Sequence, residues 1–189
     1  MLASGPGYGV EVALVVSDRH GVGALDVAAA GGVPVAVVAP AEHPDRPAFD
    51  RALRDVVAAA EPDAVCLAGF MRILGPDFVR AFPNRIVNTH PSLLPSFRGA
   101  HAVRDALDFG VKFTGCTVHL VDEEVDHGPI LLQVPVKVRL DDDEASLHER
   151  IKALEHEVFP AAVAQVAHDR VKVDGRRAWF VHEQADRTS

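Results

Sequence analysis

Short, continuously apolar runs rich in β-branched residues alternate with Ala-rich segments of helical period through the first half of the chain, and this alternation restricts the fold more than any other feature. The runs are residues 10–16, 33–38, 64–68 and 86–87; residues 24–30, 49–60 and 77–82 lie between them. A strand covered on both faces by crossover helices has no polar face. Val12-Ala13-Leu14-Val15-Val16 and Val33-Pro34-Val35-Ala36-Val37-Val38 therefore predict buried strands of a parallel sheet.

The pattern changes after a helical stretch at residues 102–109. Residues 114–121 alternate polar and apolar side chains, residues 130–138 are extended again, and Gly128-Pro129 marks a turn between them, which predicts an antiparallel pair. Leu147, Ile151, Leu154, Val158 and Ala162 then form one stripe of a long helix, with Pro160 expected to kink it or end its first part. Two short strands, 171–173 and 178–181, are expected across Asp174-Gly175. The predicted class is α/β: a mostly parallel Rossmann-like sheet with helices on both faces and an antiparallel C-terminal portion. At 189 residues, with no internal repeat or linker, the chain is expected to form a single domain, 1–189.

Charge and cysteine usage narrow the partners. Nineteen basic against 27 acidic residues give a net charge of −8, which argues against nucleic acid and for small molecules. No apolar run approaches the roughly 20 residues needed to cross a bilayer and no leader pattern opens the chain, so a cytoplasmic protein with no membrane role is expected. The two cysteines, Cys66 and Cys116, lie in apolar runs and predict buried thiols rather than a disulfide framework. The glycines of residues 1–9 have no strand before them and no helix after them, and are expected in a surface loop rather than a phosphate loop.

The densest polar cluster, Asn88-Thr89-His90-Pro91-Ser92-Leu93-Leu94-Pro95, follows the strand at 86–87 and so falls at a strand's carboxyl end, where open α/β sheets bind ligands. Asn88 and His90 are two apart and project from one face of an extended chain. An amide and an imidazole side by side can hold a developing oxyanion. Taken alone, Asn88 is equally well a turn cap and His90 an ordinary polar residue. Asp126, in Asp126-His127-Gly128-Pro129, is the candidate carboxylate to orient the imidazole and favour its cationic form, with Gly128 letting backbone pass close to a ligand. Ten histidines invite a metal, but no His-x-His or His-Glu-x-x-His pattern occurs, and none is expected on His90, His119 and Asp126.

Together with Leu67-Ala68-Gly69-Phe70-Met71-Arg72-Ile73-Leu74 and Gly115-Cys116-Thr117-Val118-His119-Leu120-Val121-Asp122, these motifs make the chain, from about Val10 to its last strand, resemble the glycinamide ribonucleotide formyltransferases. The resemblance implies transfer of a formyl group from 10-formyltetrahydrofolate, as cosubstrate, to the amine of glycinamide ribonucleotide in purine synthesis, without a metal. It implies that Asn88 and protonated His90 bind the oxyanion, that His90 is the general acid, and that Asp126 holds His90 charged and organises a water. It further implies a folate pocket from Arg46, Met71, Arg72, Ile73, Leu74, Val121, Asp122, Glu123, Glu124 and Val125, and ribonucleotide contacts from Lys152 and Glu155. Without it, Phe70, Ile73 and Leu74 read as core, and Arg46, Lys152 and Glu155 as a solvated face.

The family opens with a strand and a Gly-Ser/Thr-Asn phosphate loop, and neither precedes Val10. One strand and one helix, about 20 to 25 residues, are expected to be missing, through a start placed too late or a real loss. Two other activities are weighed. A formyltetrahydrofolate hydrolase uses the same Asn, His and Asp but carries a variant motif where this chain has Thr89-His90-Pro91-Ser92; a methionyl-tRNA formyltransferase needs an RNA-binding domain. A non-catalytic folate-binding remnant is the alternative from another class. Monomer and homodimer are both compatible with the resemblance.

Overall fold

Residues 7–181 are described by a computed structural model, in which strands and helices alternate as the apolar runs predict. In chain order the elements are β1 (Val15–Ser17), α1 (Gly23–Ala30), β2 (Val35–Val37), α2 (Arg46–Ala58), β3 (Val65–Cys66), α3 (Pro76–Ala81), β4 (Ile86–His90), α4 (Ala102–Phe109), β5 (Phe113–Leu120), β6 (Ile130–Lys137), α5 (Glu144–Ala167), β7 (Val171–Asp174) and β8 (Arg177–Phe180). Strands β1 and β2 form a parallel pair, and the other six lie in the order β3-β4-β5-β6-β8-β7. Pairing is parallel for β3 with β4 and β6 with β8, and antiparallel for β4 with β5, β5 with β6, and β7 with β8. The expected α/β class is the class observed, parallel in its first pairs and antiparallel from β4 to β6 and in the last hairpin, with β6 and β8 a late parallel pair.

Local chemistry sets the helix starts. Asp45 caps α2 by accepting the Ala48 N–H at 2.7 Å, and Pro47 occupies the first turn, where a missing N–H costs nothing. At the start of α5 the Asp143 side chain accepts the Ser146 N–H while the Ser146 hydroxyl accepts the Asp143 N–H, a reciprocal capping box.

Alternation along β4 divides the core. Ile86 faces Phe49 and Leu53 of α2 and Phe78 and Val79 of α3, whereas Val87 faces Phe159, Ala162, Val163 and Val166 of α5. The N-terminal half of α5 buries Leu147 and Ile151 against Val103 of α4, Cys116 of β5 and Val136 of β6. By the same period of two, Asn88 and His90 share the Ile86 face, and Thr89 turns toward α5.

Three expectations need correction. The first strand begins at Val15 rather than Val10, because ladder pairing starts only where the Val15 N–H reaches the Pro34 carbonyl at 2.9 Å; apolar composition without a partner makes no strand. Of the kink or end expected at Pro160, the end is overturned, since helix α5 runs on to Ala167. Proline forfeits one intrahelical bond and costs about 3 kcal/mol, which burial of Phe159, Pro160, Ala162, Val163 and Val166 on the sheet exceeds. Cys116 is fully buried, but Cys66, at the end of the two-residue β3, is only partly so. Of the opening loop, residues 1–6 lie outside the described residues. Among the described residues no helix is long and apolar enough to cross a membrane.

Candidate active site

Antiparallel register between β4 and β5 builds the floor of the site. Asn88 lies opposite His119 and His90 opposite Thr117, so four polar side chains share one face of two central strands. His90 is 5% exposed and His119 2%. The loop between β5 and β6 then brings Asp126 over both histidines: one carboxylate oxygen is 3.4 Å from His90 Nδ1, the other 3.9 Å from His119 Nε2. The expected grouping of Asn88, His90 and Asp126 is therefore what the fold assembles.

Each group is held by a second contact. His90 Nε2–H donates to the Phe97 carbonyl at 2.8 Å, and the Gly99 N–H donates to Asp126 Oδ2 at 2.8 Å, so the segment after β4 touches both members of the pair. Phe97 takes a left-handed φ of 53° to aim that carbonyl. Beneath, Thr117 Oγ1 donates to the Ser92 carbonyl at 2.7 Å and accepts the Leu94 N–H at 3.0 Å and a Gln133 amide N–H at 2.9 Å. Thr117 and Gln133 thereby fix the turn that follows His90.

The remaining predicted positions sort by place. Thr89, on the opposite face, donates its hydroxyl to Glu155 Oε1 of α5 at 2.9 Å, which holds Glu155 against the far face of β4 from His90. Lys152 stays on the outer surface of α5, paired with Glu149 at 3.3 Å, as the solvated alternative has it. Arg46 donates from Nε to Asp50 at 2.6 Å and from Nη2 to the Ile73 carbonyl, so it and the loop after β3 form one wall. On that wall Met71 and Ile73 are largely exposed, while the Leu74 side chain is buried beside Phe78 in the core. Arg72 pairs with Asp18 at 2.7 Å and, with Arg19 and Met71, lines a cavity of about 350 Å³ past the end of β1. Val121 and Asp122 open the Asp126 loop, and Glu123, Glu124 and Val125 form its exposed tip, with Glu123 held by Arg80 at 2.8 Å.

A formyl transferase family model matches residues 3–163, a span that takes in β4, β5 and the Asp126 loop. The chain belongs to the formyl transferase family. Phosphoribosylglycinamide formyltransferase of Mycobacterium tuberculosis H37Rv is 53% identical to it over 171 residues, covering 90% of this chain and 79% of the relative. Glycinamide ribonucleotide transformylase 1 of Symbiobacterium toebii superposes with a TM-score of 0.87 at 46% identity, over 91% of this chain and 81% of that one. A formyltetrahydrofolate deformylase of Pseudomonas syringae has a TM-score of 0.82 at 29% identity, over 91% of this chain and 57% of that one.

His119 of this formyl transferase lies in one of the family motifs but had no role of its own from the sequence. Its Nδ1 lies 2.8 Å from the Leu120 carbonyl, which can only accept, so Nδ1 carries the hydrogen and Nε2 the lone pair. Asn88 Nδ2 sits 3.2 Å from that lone pair and donates to it, so His119 fixes which end of the Asn88 amide faces the site. Burial pushes the His119 pKa below the ordinary value of 6.5, against the smaller pull of the Leu120 carbonyl and Asp126. Because the unfolded chain takes up this proton first, His119 contributes stability that is complete above pH 6.5 and is lost as pH falls toward its lower folded value. An NMR titration assigned with His119→Asn should place its midpoint under 6.5; a midpoint at or above that value contradicts the neutral Nδ1–H assignment. Thr117 and Gln133 were missed as well: alternation along β5 shows which residues share a face, but only the register reveals what stands opposite.

Proposed function

We propose that this formyl transferase moves the formyl group of 10-formyltetrahydrofolate to the amine of glycinamide ribonucleotide, on a single formyltransferase domain. The amine nitrogen bonds to the formyl carbon, giving a tetrahedral adduct with a negatively charged oxygen; the bond from that carbon to the folate nitrogen then breaks, and a proton passes from the attacking amine to the departing nitrogen. Asn88, through the amide hydrogen not given to His119, and His90 stabilise the oxyanion. His90 delivers the proton, and Asp126 supplies the counter-charge for its cationic form and organises the water that carries protons.

The observation that carries this proposal is the placement of Asp126 at 3.4 Å from a 5% exposed His90 that shares a face with Asn88. In the same proposal the wall made by Arg46, Met71, Arg72, Ile73 and Leu74 and the loop residues Val121, Asp122, Glu123, Glu124 and Val125 hold the folate, Leu74 through its backbone. Glu155, held to the sheet by Thr89, meets the ribonucleotide; Lys152, on the outer surface of α5 and paired with Glu149, joins it only by exchanging that partner. The protein acts in the cytoplasm on small molecules, as a monomer or homodimer. Identity of 53% to a phosphoribosylglycinamide formyltransferase, against 29% to a deformylase, supports transfer to an amine over transfer to water.

The test is acceptor dependence. Purified protein given 10-formyltetrahydrofolate should release tetrahydrofolate only after glycinamide ribonucleotide is added. Release without the acceptor makes the protein a hydrolase, and folate binding with no turnover makes it a binding remnant.

A further inference from the structure

We infer that Arg176, in the turn of the C-terminal hairpin, is a positioning residue for formyl transfer that holds the Asp126 loop in its working shape. The inference rests on Asp126 being the carboxylate partner of His90, as proposed above.

Residues 121–129 leave the sheet at β5 and return at β6, and within them Asp122, Glu123, Glu124 and Asp126 are acidic. Four carboxylates in so short a loop repel one another and favour an open, solvated loop. Asp126 itself has a left-handed φ of 49°. The Gly99 N–H holds the Asp126 carboxylate from the segment after β4, but the loop that carries it still has to be closed. The closure within the loop is the contact of His127 Nδ1 with Asp122 Oδ2 at 2.7 Å, which ties its two ends. Arg176 locks that closure from outside: Nη2 donates to the His127 carbonyl at 2.6 Å, and Nη1 lies against the His127 ring, 2.6 Å from Nε2. The His127 carbonyl is one peptide beyond Asp126, so fixing it fixes the backbone from which the catalytic carboxylate projects.

Topology places Arg176 there. Strand β8 joins the sheet through one register pair, Ile130 with Arg177, immediately beyond the end of the loop. The turn between β7 and β8, with Gly175 at a left-handed φ of 55°, therefore stands at the foot of the Asp126 loop and points the next residue, Arg176, into it. Arg80 of α3 meets the tip through Glu123, but three residues away from Asp126 and on the exposed side. An exposed ion pair of that kind contributes little. Arg176 is exposed as well, but it differs in gripping backbone beside the reacting group rather than a side chain at the tip.

Compare wild type with Arg176→Ala and Arg176→Lys in two measurements. In the transfer assay, Arg176→Ala should lower kcat about tenfold and raise KM for 10-formyltetrahydrofolate severalfold, with KM for glycinamide ribonucleotide unchanged. Lys, which can still donate to the His127 carbonyl, should recover most of the kcat. In hydrogen exchange, amides of residues 122–127 should exchange about tenfold faster in Arg176→Ala while the α5 amides keep their protection. Unchanged exchange in the loop overturns the clamp whatever the activity of wild type, and kcat and folate KM within twofold of wild type overturn its role in transfer. An equal loss in Ala and Lys, or faster exchange throughout α5, also overturns it, since either marks general destabilisation. Absence of transfer by wild type itself refutes the function proposed above, and the exchange result still decides the clamp.

Discussion

Asp126→Asn should leave the protein folded and lower kcat by about a hundredfold to a thousandfold, with KM for 10-formyltetrahydrofolate changed by no more than about threefold. The substitution isolates charge. An asparagine at 126 keeps the volume of aspartate, and its carbonyl oxygen can still accept the Gly99 N–H that Asp126 Oδ2 accepts at 2.8 Å. What it removes is the negative charge between His90 and His119. His90→Ala goes further, deleting both an oxyanion donor and the proton source, and should cost about a thousandfold to ten-thousandfold in kcat. It also leaves the Phe97 carbonyl without the donor that meets it at 2.8 Å, so its melting temperature should fall somewhat while Asp126→Asn holds near wild type. Because the two groups act as one unit, the double variant should be no slower than His90→Ala alone. Steady-state tetrahydrofolate release at saturating acceptor measures all three. A near-normal kcat for either single variant removes that residue from the chemistry.

How far this site could be read before the fold was known follows from how each contact is encoded. Asn88 and His90 were legible because both lie on one strand, and a period of two places them without tertiary information. Asp126 could be proposed from its Gly-Pro loop and the family resemblance, but its distance from His90 depends on a hairpin whose register the sequence does not show. His119 and Thr117 were hidden for the same reason: each becomes a partner of Asn88 or His90 only through the β4–β5 pairing. Helix α5 shows the converse. Its stripe gave the buried Leu147, Ile151 and Ala162 and the partly buried Leu154 and Val158, but of the kink or end expected at Pro160 the end does not occur, because local propensity carries no record of how much apolar surface the sheet offers on the far side. Strand β1 erred in the other direction, where the mostly apolar residues 10–14 have the composition of a strand but, among the described residues, no ladder neighbour to make them one.

Gly128, singled out for a close approach of backbone to a ligand, has a second reason to be glycine. The structure sets backbone of its own chain against it. A Cβ built on Gly128 would lie 1.9 Å from the Leu120 carbonyl oxygen and 2.9 Å from the carbonyl carbon, inside the β5–β6 hairpin. Both are backbone atoms of a strand end that also pairs through the Leu120 N–H to the Pro129 carbonyl at 2.9 Å, so no side chain can swing aside to make room. Gly128→Ala must therefore push the loop off the end of β5. The expected cost is about 2–3 kcal/mol of stability, or a fall of roughly 5–10 °C in melting temperature for a chain of this size. Asp126 is two residues upstream, so the same displacement should move its carboxylate away from His90 and lower kcat at least tenfold at temperatures where the variant is fully folded. Gly31→Ala is the control: its Cβ would meet the Ala28 and Val27 carbonyl oxygens at 3.4 Å, ordinary contact, and should change stability by no more than about 0.5 kcal/mol. Thermal unfolding and kcat for the two variants measure both effects, and a Gly128→Ala protein with wild-type melting temperature and rate would show that the loop can lift from Leu120 without disturbing Asp126.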